Sequence, residues 1–147
     1  MRQAIALGAH VRRKEWAGQE RAAAVGPITA GAFTTPTFFM TIRTRTIQDS
    51  QNANFRRNAT QAEVDMVDNA LKGAVTDDLT RVREILYQLP FTKDLKGLTT
   101  QQWLDVTGRY ADVLKTLEDR LTADFGTVVR EAASERAGAS GACWRCS

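Results

Sequence analysis

Beyond about residue 60, large apolar residues recur every three or four positions almost to the end of the chain. Before it they are scattered among Thr, Gly, Pro and Ala. The periodic part predicts helices. Thr60 with Glu63 is a capping-box start, and Val64, Val67, Leu71, Ala74 and Val75 follow it. Thr76 is placed to cap a second helix, with Asp77 and Asp78 favourable to its dipole and Leu79, Val82, Ile85, Leu86 and Leu89 as its stripe. Pro90 is expected to stop it. Thr99 or Thr100 caps a third helix, whose inner face runs Trp103, Val106, Tyr110, Val113, Leu114, Leu117 and Leu121. Phe125, Val128, Val129 and Ala132 continue the period. Gly126 marks a turn between two antiparallel helices, unless one helix runs unbroken over 100–136.

The first sixty residues give a different picture. Residues 2–24 can form a partly amphipathic helix through Ile5, Leu7, Val11 and Trp16. Gly26-Pro27 and Thr34-Thr-Pro-Thr37 predict extended or turning backbone over 25–37. The β-branched and aromatic run 38–47 reads as strand-like, and the polar run 48–58 as a loop. The fold expected is therefore all-α: an antiparallel bundle of three or four helices over 60–137, preceded by an extended basic arm over 1–59 and followed by a Gly/Ser/Ala tail over 138–147.

Charge sharpens that division. Residues 1–60 carry nine Lys/Arg and three acids, net +6, while residues 61–147 carry eleven Lys/Arg and fourteen acids, net −3. Arg12-Arg13-Lys14, Arg43 with Arg45, and Arg56-Arg57 form three basic clusters, with Trp16, Phe38, Phe39 and Phe55 beside them. Such residues can grip single-stranded nucleic acid or anchor an arm in a protein groove. With no nucleic-acid-binding motif present, the protein groove is the preferred reading. Trp16, Phe38, Phe39, Arg43, Arg45, Phe55, Arg56 and Arg57 are then the expected partner-binding residues, and the partners are other subunits of a large complex.

Residues 22–42 hold no charged side chain, but their prolines, glycines and five threonines favour a loop over a membrane-spanning helix. Membrane contact through this stretch stays open. The Arg-rich, acid-poor start resembles an organellar transit segment. Catalytic chemistry has little to rest on. Cys143-Trp-Arg-Cys146 is a C-x-x-C pair without the βαβ context of a redox site or two further zinc ligands. His10, the single histidine, has no acidic partner nearby and reads as a surface or partner contact. There is no phosphate loop and no carboxylate–histidine metal motif, so no metal, cofactor or catalytic residue is expected.

Leu79, Val82, Ile85, Leu86, Leu89-Pro90, Phe91-Thr92-Lys93 and Leu117-Glu118-Asp119-Arg120-Leu121 together resemble a small helical accessory subunit on the peripheral arm of mitochondrial respiratory complex I. The likeness covers residues 78–121. That family's Gly-Gln-x-Glu-Glu run is replaced by Thr122-Ala-Asp-Phe-Gly126. The Leu98-Thr99-Thr100 helix start and the twin-Arg, Ala-x-Ala leader are also loosely similar to small four-helix lumenal subunits of photosystem II. The first resemblance implies a non-catalytic accessory subunit of a mitochondrial, inner-membrane-associated electron-transport complex. The second implies a thylakoid location, and a nucleic-acid-binding or virion structural protein is a third possibility for the basic arm.

Overall fold

A computed structural model describes residues 1–143, and these are helical nearly throughout. Six helices follow one another: α1 (Arg2–Ala23), α2 (Val25–Ala30), α3 (Thr35–Asn58), α4 (Gln61–Ala70), α5 (Ala74–Thr92) and α6 (Thr100–Cys143). The all-α bundle is as expected. The extended arm is not: residues 1–59 form three of the six helices, and α1 packs most extensively on α3 and then on α6.

The reason lies in what α1 and α3 bury. On α1 the inward positions are Ala6, Ala9, His10, Ala17 and Glu20. On α3 they are Thr41, Thr44, Gln48 and Phe55. Both sets keep helical spacing, but most members are small or polar and hide from a hydropathy reading. The alanines let the helix backbones approach closely. The threonines donate to their own preceding turns, Thr41 Oγ1 to the Thr37 carbonyl at 3.0 Å and Thr44 Oγ1 to that of Thr41 at 2.8 Å. Burial therefore leaves neither hydroxyl unmatched.

Helix starts follow local chemistry. Thr34 and Thr37 exchange bonds of 3.3 and 2.9 Å, and Pro36 lies in the first turn of α3, where its missing N–H costs nothing. Thr60 and Glu63 form the expected box at 3.2 and 2.9 Å. Thr99 pairs with Gln102 at 3.1 and 3.0 Å ahead of α6. Two expectations fail. Helix α5 begins after Gly73 rather than Thr76, because the positive φ of 82° at Gly73 makes the turn out of α4. Pro90 lies inside α5 instead of stopping it. It falls in the last turn, where one lost donor is tolerated, and Lys93 N still closes on the Leu89 carbonyl at 2.9 Å. Of the two readings of residues 100–136, the unbroken helix is the one observed.

The interior has two sections. One centres on Trp103, fully buried, with Ala17, Ala24, Ile28, Leu79, Val82, Leu86 and Leu114 around it. The Trp103 indole donates to the Arg21 carbonyl at 3.0 Å, tying α6 to the end of α1. The other gathers Ala6, Ala9, Phe55, Val67, Leu117 and Leu121. Both sections draw on residues from before and after position 60, so the basic stretch is covered by the chain's own α4, α5 and α6. Residues 22–42 hold the end of α1, all of α2 and the start of α3, with a short connection over 31–34, rather than one threaded loop. Among the described residues no helix is long and apolar enough to cross a membrane.

Candidate functional site

Three helices bring polar side chains to one buried point. Arg83 on α5 reaches Glu20 on α1 with Nε to Oε1 at 2.8 Å and Nη2 to Oε2 at 2.6 Å. Gln48 on α3 accepts from Arg83 Nη2 at 3.1 Å and donates to Glu20 Oε2 at 2.7 Å. The Tyr87 hydroxyl donates to Glu20 Oε1 at 3.1 Å. Glu20 and Gln48 are each 2 % exposed and Arg83 7 %. The Arg83 guanidinium also stands 5.4 Å from the centre of the Tyr110 ring, within cation–π range. Burial works against the Arg83 charge, but the hydrogen bonds and charge of Glu20 outweigh it and bind the proton more tightly than usual. Burial and then the Glu20 charge push the Tyr87 phenol up, so it remains a donor.

Through Arg83 this network borders a cleft. The cleft measures about 420 Å³ and is bordered by α1, α3, α4, α5 and α6. Five of its lining residues are cations, Arg13, Arg45, Arg56, Lys72 and Arg83, against one acid, Asp68. Asp68 is already engaged by Arg56. Arg45 pairs with Asp49 at 3.1 Å. Arg13 donates to Asn52 Oδ1 at 2.9 Å and Lys72 to Asn69 Oδ1 at 2.9 Å, both neutral acceptors that leave the positive charges uncompensated. Thr80 and Asn52 add uncharged donors, the Thr76 hydroxyl is held by the Leu71 carbonyl, and Leu71, Leu79 and Tyr110 supply low-dielectric wall. With Arg45, Arg56 and Arg83 each on a carboxylate, the excess is the two charges of Arg13 and Lys72, and a concave site with that excess attracts anions. Arg45, Thr80 and Arg83 also line a neighbouring cleft of about 350 Å³, so Arg83 stands in the wall between the two.

The expected partner-binding residues scatter. Arg45 and Arg56 meet at the cleft. Arg43 is exposed and lies 5.8 Å from the centre of the half-buried Trp16 ring. Arg57 is exposed, and its carbonyl accepts from Arg2. Phe38 packs edge-on against Phe33 at 5.3 Å, and Phe39 is 65 % exposed. Phe55, expected as an anchor for a partner, is a core residue at 1 % exposure. His10 is not at the surface either: it is buried at the α1–α6 seam, and Nε2 donates to the Leu114 carbonyl at 2.9 Å. The side chains of Cys143 and Cys146 lie outside the described residues. Among the described residues no group of three or more His, Cys, Asp or Glu is placed to hold a metal ion.

Glu20, Gln48, Lys72, Arg83 and Tyr87 carry most of the site, and sequence reasoning missed all of them. One signal was available. Arg83 lies on the inward stripe of α5 between Leu79 and Leu86, and Glu20 lies on the alanine face of α1 between Ala17 and Ala24. A charge on a buried stripe calls for a partner.

A family model described as nitrate and nitrite sensing matches residues 1–126. No curated protein and no solved structure matches the chain. The family match overturns the resemblance to a complex I accessory subunit. The residues that carried that resemblance are the apolar stripes and termini of α5 and α6, which any amphipathic helix pair supplies. The electron-transport role and the mitochondrial or thylakoid location fall with it.

Proposed function

We propose that this chain, which belongs to the nitrate and nitrite sensing family, is a ligand-sensing domain that holds a small oxyanion in the cationic cleft. The observation that carries this reading is the cation-rich lining of the cleft, in which Arg45, Arg56 and Arg83 are paired with Asp49, Asp68 and Glu20 while Arg13 and Lys72 make no salt bridge among the described residues. Nitrate and nitrite are planar monoanions that accept hydrogen bonds only, and a guanidinium presents donors in the matching plane. Arg13 and Lys72, whose neutral partners leave their charge available, supply attraction. Arg83, whose Nε and Nη2 hydrogens are taken by Glu20 and Gln48, has its Nη1 hydrogens left to offer. Thr80 supplies a hydroxyl to a remaining oxygen. The cleft is roomier than one such ion requires, and water shares it.

The role is recognition and signalling rather than turnover. The lining residues are donors suited to holding an anion. The output element is α6. Its 44 residues span about 66 Å at the usual helical rise. It touches the cleft through Tyr110, packs on α1 and α5, and runs on as an exposed helix past residue 122. A shift of α6 on anion entry would be carried along that length.

Calorimetric titration with nitrate and nitrite tests the reading, with acetate and sulfate as comparison anions. Saturable nitrate or nitrite binding is expected, accompanied by a rise in the thermal midpoint. At a hundredfold excess over Kd the stabilisation is about 2.7 kcal/mol. Lys72→Gln, on an exposed residue, should weaken binding without altering the fold. Absence of both heat and midpoint shift with either anion would sink the proposal.

A further inference from the structure

Arg83 is the most deeply placed cation of the cleft, and its charge is already taken. Glu20 occupies the Nε and Nη2 edge of the guanidinium with both carboxylate oxygens, at 2.8 and 2.6 Å. A carboxylate is a planar, delocalised monoanion with two acceptor oxygens on one side, the same recognition chemistry as nitrate or nitrite. We propose that Glu20 is an internal competitor for the oxyanion, setting the affinity of the cleft by offsetting the charge of Arg83. The inference rests on the oxyanion-sensing reading above.

Three observations support it. First, the pair is held in place rather than incidental. Gln48 bridges both partners, at 3.1 Å to Arg83 and 2.7 Å to Glu20. Tyr87 holds the other Glu20 oxygen at 3.1 Å. Second, Glu20 has donors besides Arg83. If an entering anion draws the guanidinium towards the cleft, Gln48 Nε2 and the Tyr87 hydroxyl remain on the carboxylate. Third, Arg83 lines the cleft while Glu20 does not, so the competing charge acts from behind the guanidinium. Because Glu20 belongs to α1 and Arg83 to α5, any loosening of the pair also loosens a link between those helices.

The test is nitrate titration of three full-length chains at constant ionic strength: wild type, Glu20→Gln and Glu20→Asp. Removing one negative charge in contact with Arg83 should tighten nitrate binding by at least about tenfold in Glu20→Gln. Glu20→Asp retains the charge and should stay within about threefold of wild type. A purely structural role for Glu20 predicts the reverse, with Glu20→Gln binding as wild type or more weakly, and that result overturns the proposal while leaving the sensing reading intact. If wild type binds no nitrate, both fall. Because an amide facing Gln48 and Arg83 must place one N–H against another donor, Glu20→Gln could fail to fold. The wild-type chain then decides: the Arg83 side-chain ¹⁵N signals should move on saturation with nitrate, and signals that stay fixed while nitrate binds overturn the competition.

Discussion

Around Arg83 the bundle buries opposite charges and matches them closely: two bonds to Glu20, one to Gln48, a tyrosine hydroxyl on the carboxylate and an aromatic face beside the guanidinium. Around His10 it buries a single imidazole and matches half of it. Nε2 donates to the Leu114 carbonyl, so in the neutral ring Nδ1 is the unprotonated nitrogen, and it has no hydrogen-bond partner among the described residues. Phe55 tilts against the same ring at 6.0 Å. Both sites lie on inward positions of α1, ten residues apart in the sequence. The first site is polar and borders the cleft through Arg83. The second is set beside Phe55 in the apolar section and does not line the cleft. A buried charge is retained here where an anion could reach it, whereas the site without that access holds a group that can shed its charge.

The largest expected effect breaks the polar section. Arg83→Met leaves the Glu20 carboxylate buried without a counter-charge and should cost about 3–5 kcal/mol in a chemical denaturation midpoint series. Replacing Glu20 by Met as well removes the stranded charge and should recover much of that loss. A double variant no more stable than Arg83→Met would mean that the network's packing, not its charge balance, holds the section together.

The contrast also shows what the sequence made legible. The capping box at Thr60, the stripes of α5 and the inner face of α6 from Trp103 to Leu121 could be read because large apolar side chains mark them. Helix α3 could not. Its inward positions Thr41, Thr44, Gln48 and Phe55 keep the helical period, but three of the four are polar, and a run of threonines and aromatics suggests a strand. Helix α1 hides its face in alanines. The cleft was less visible still. Arg13, Asn52 and Arg83 come from three helices and Lys72 from the turn between α4 and α5, and Glu20 lies 63 residues from the Arg83 it binds, so no local motif exists. The basic clusters are legible as charge, but their assembly into one concave site depends on α3 being a helix.

Smaller changes test the apolar section. Phe55→Leu keeps an apolar side chain in the Ala6, Val67 and Leu117 cluster but leaves part of the ring's volume unfilled, and should cost about 1–2 kcal/mol. His10 sharpens the comparison through pH. Burial, followed by the nearby Arg13 and Lys14, lowers its pKa from 6.5, while the Leu114 bond and Glu118 oppose the shift. The unfolded chain therefore binds more protons than the folded one between the lowered value and 6.5. The contribution of neutral His10 is complete above 6.5 and is lost as pH falls through the lowered folded value. Stability of His10→Gln, measured by thermal denaturation across that window, should depend less steeply on pH than wild type. Equal slopes would remove His10 as the source.

The smallest effect separates the two ends of one helix. Phe39 and Phe55 both lie on α3, yet one is 65 % and the other 1 % exposed. Phe39 is still in contact with its neighbours: its ring lies 6.3 Å from that of Phe38, which in turn meets Phe33. A side chain already mostly in water has little transfer energy to lose, so Phe39→Ser should change the unfolding free energy by less than about 0.5 kcal/mol. The same variant should bind nitrate as wild type does, because Phe39 does not line the cleft. Should Phe39→Ser instead lower stability by as much as Phe55→Leu, the Phe33–Phe38–Phe39 stack would have to be counted as a third section of core, and the division of α3 into a buried end and a surface end would no longer hold.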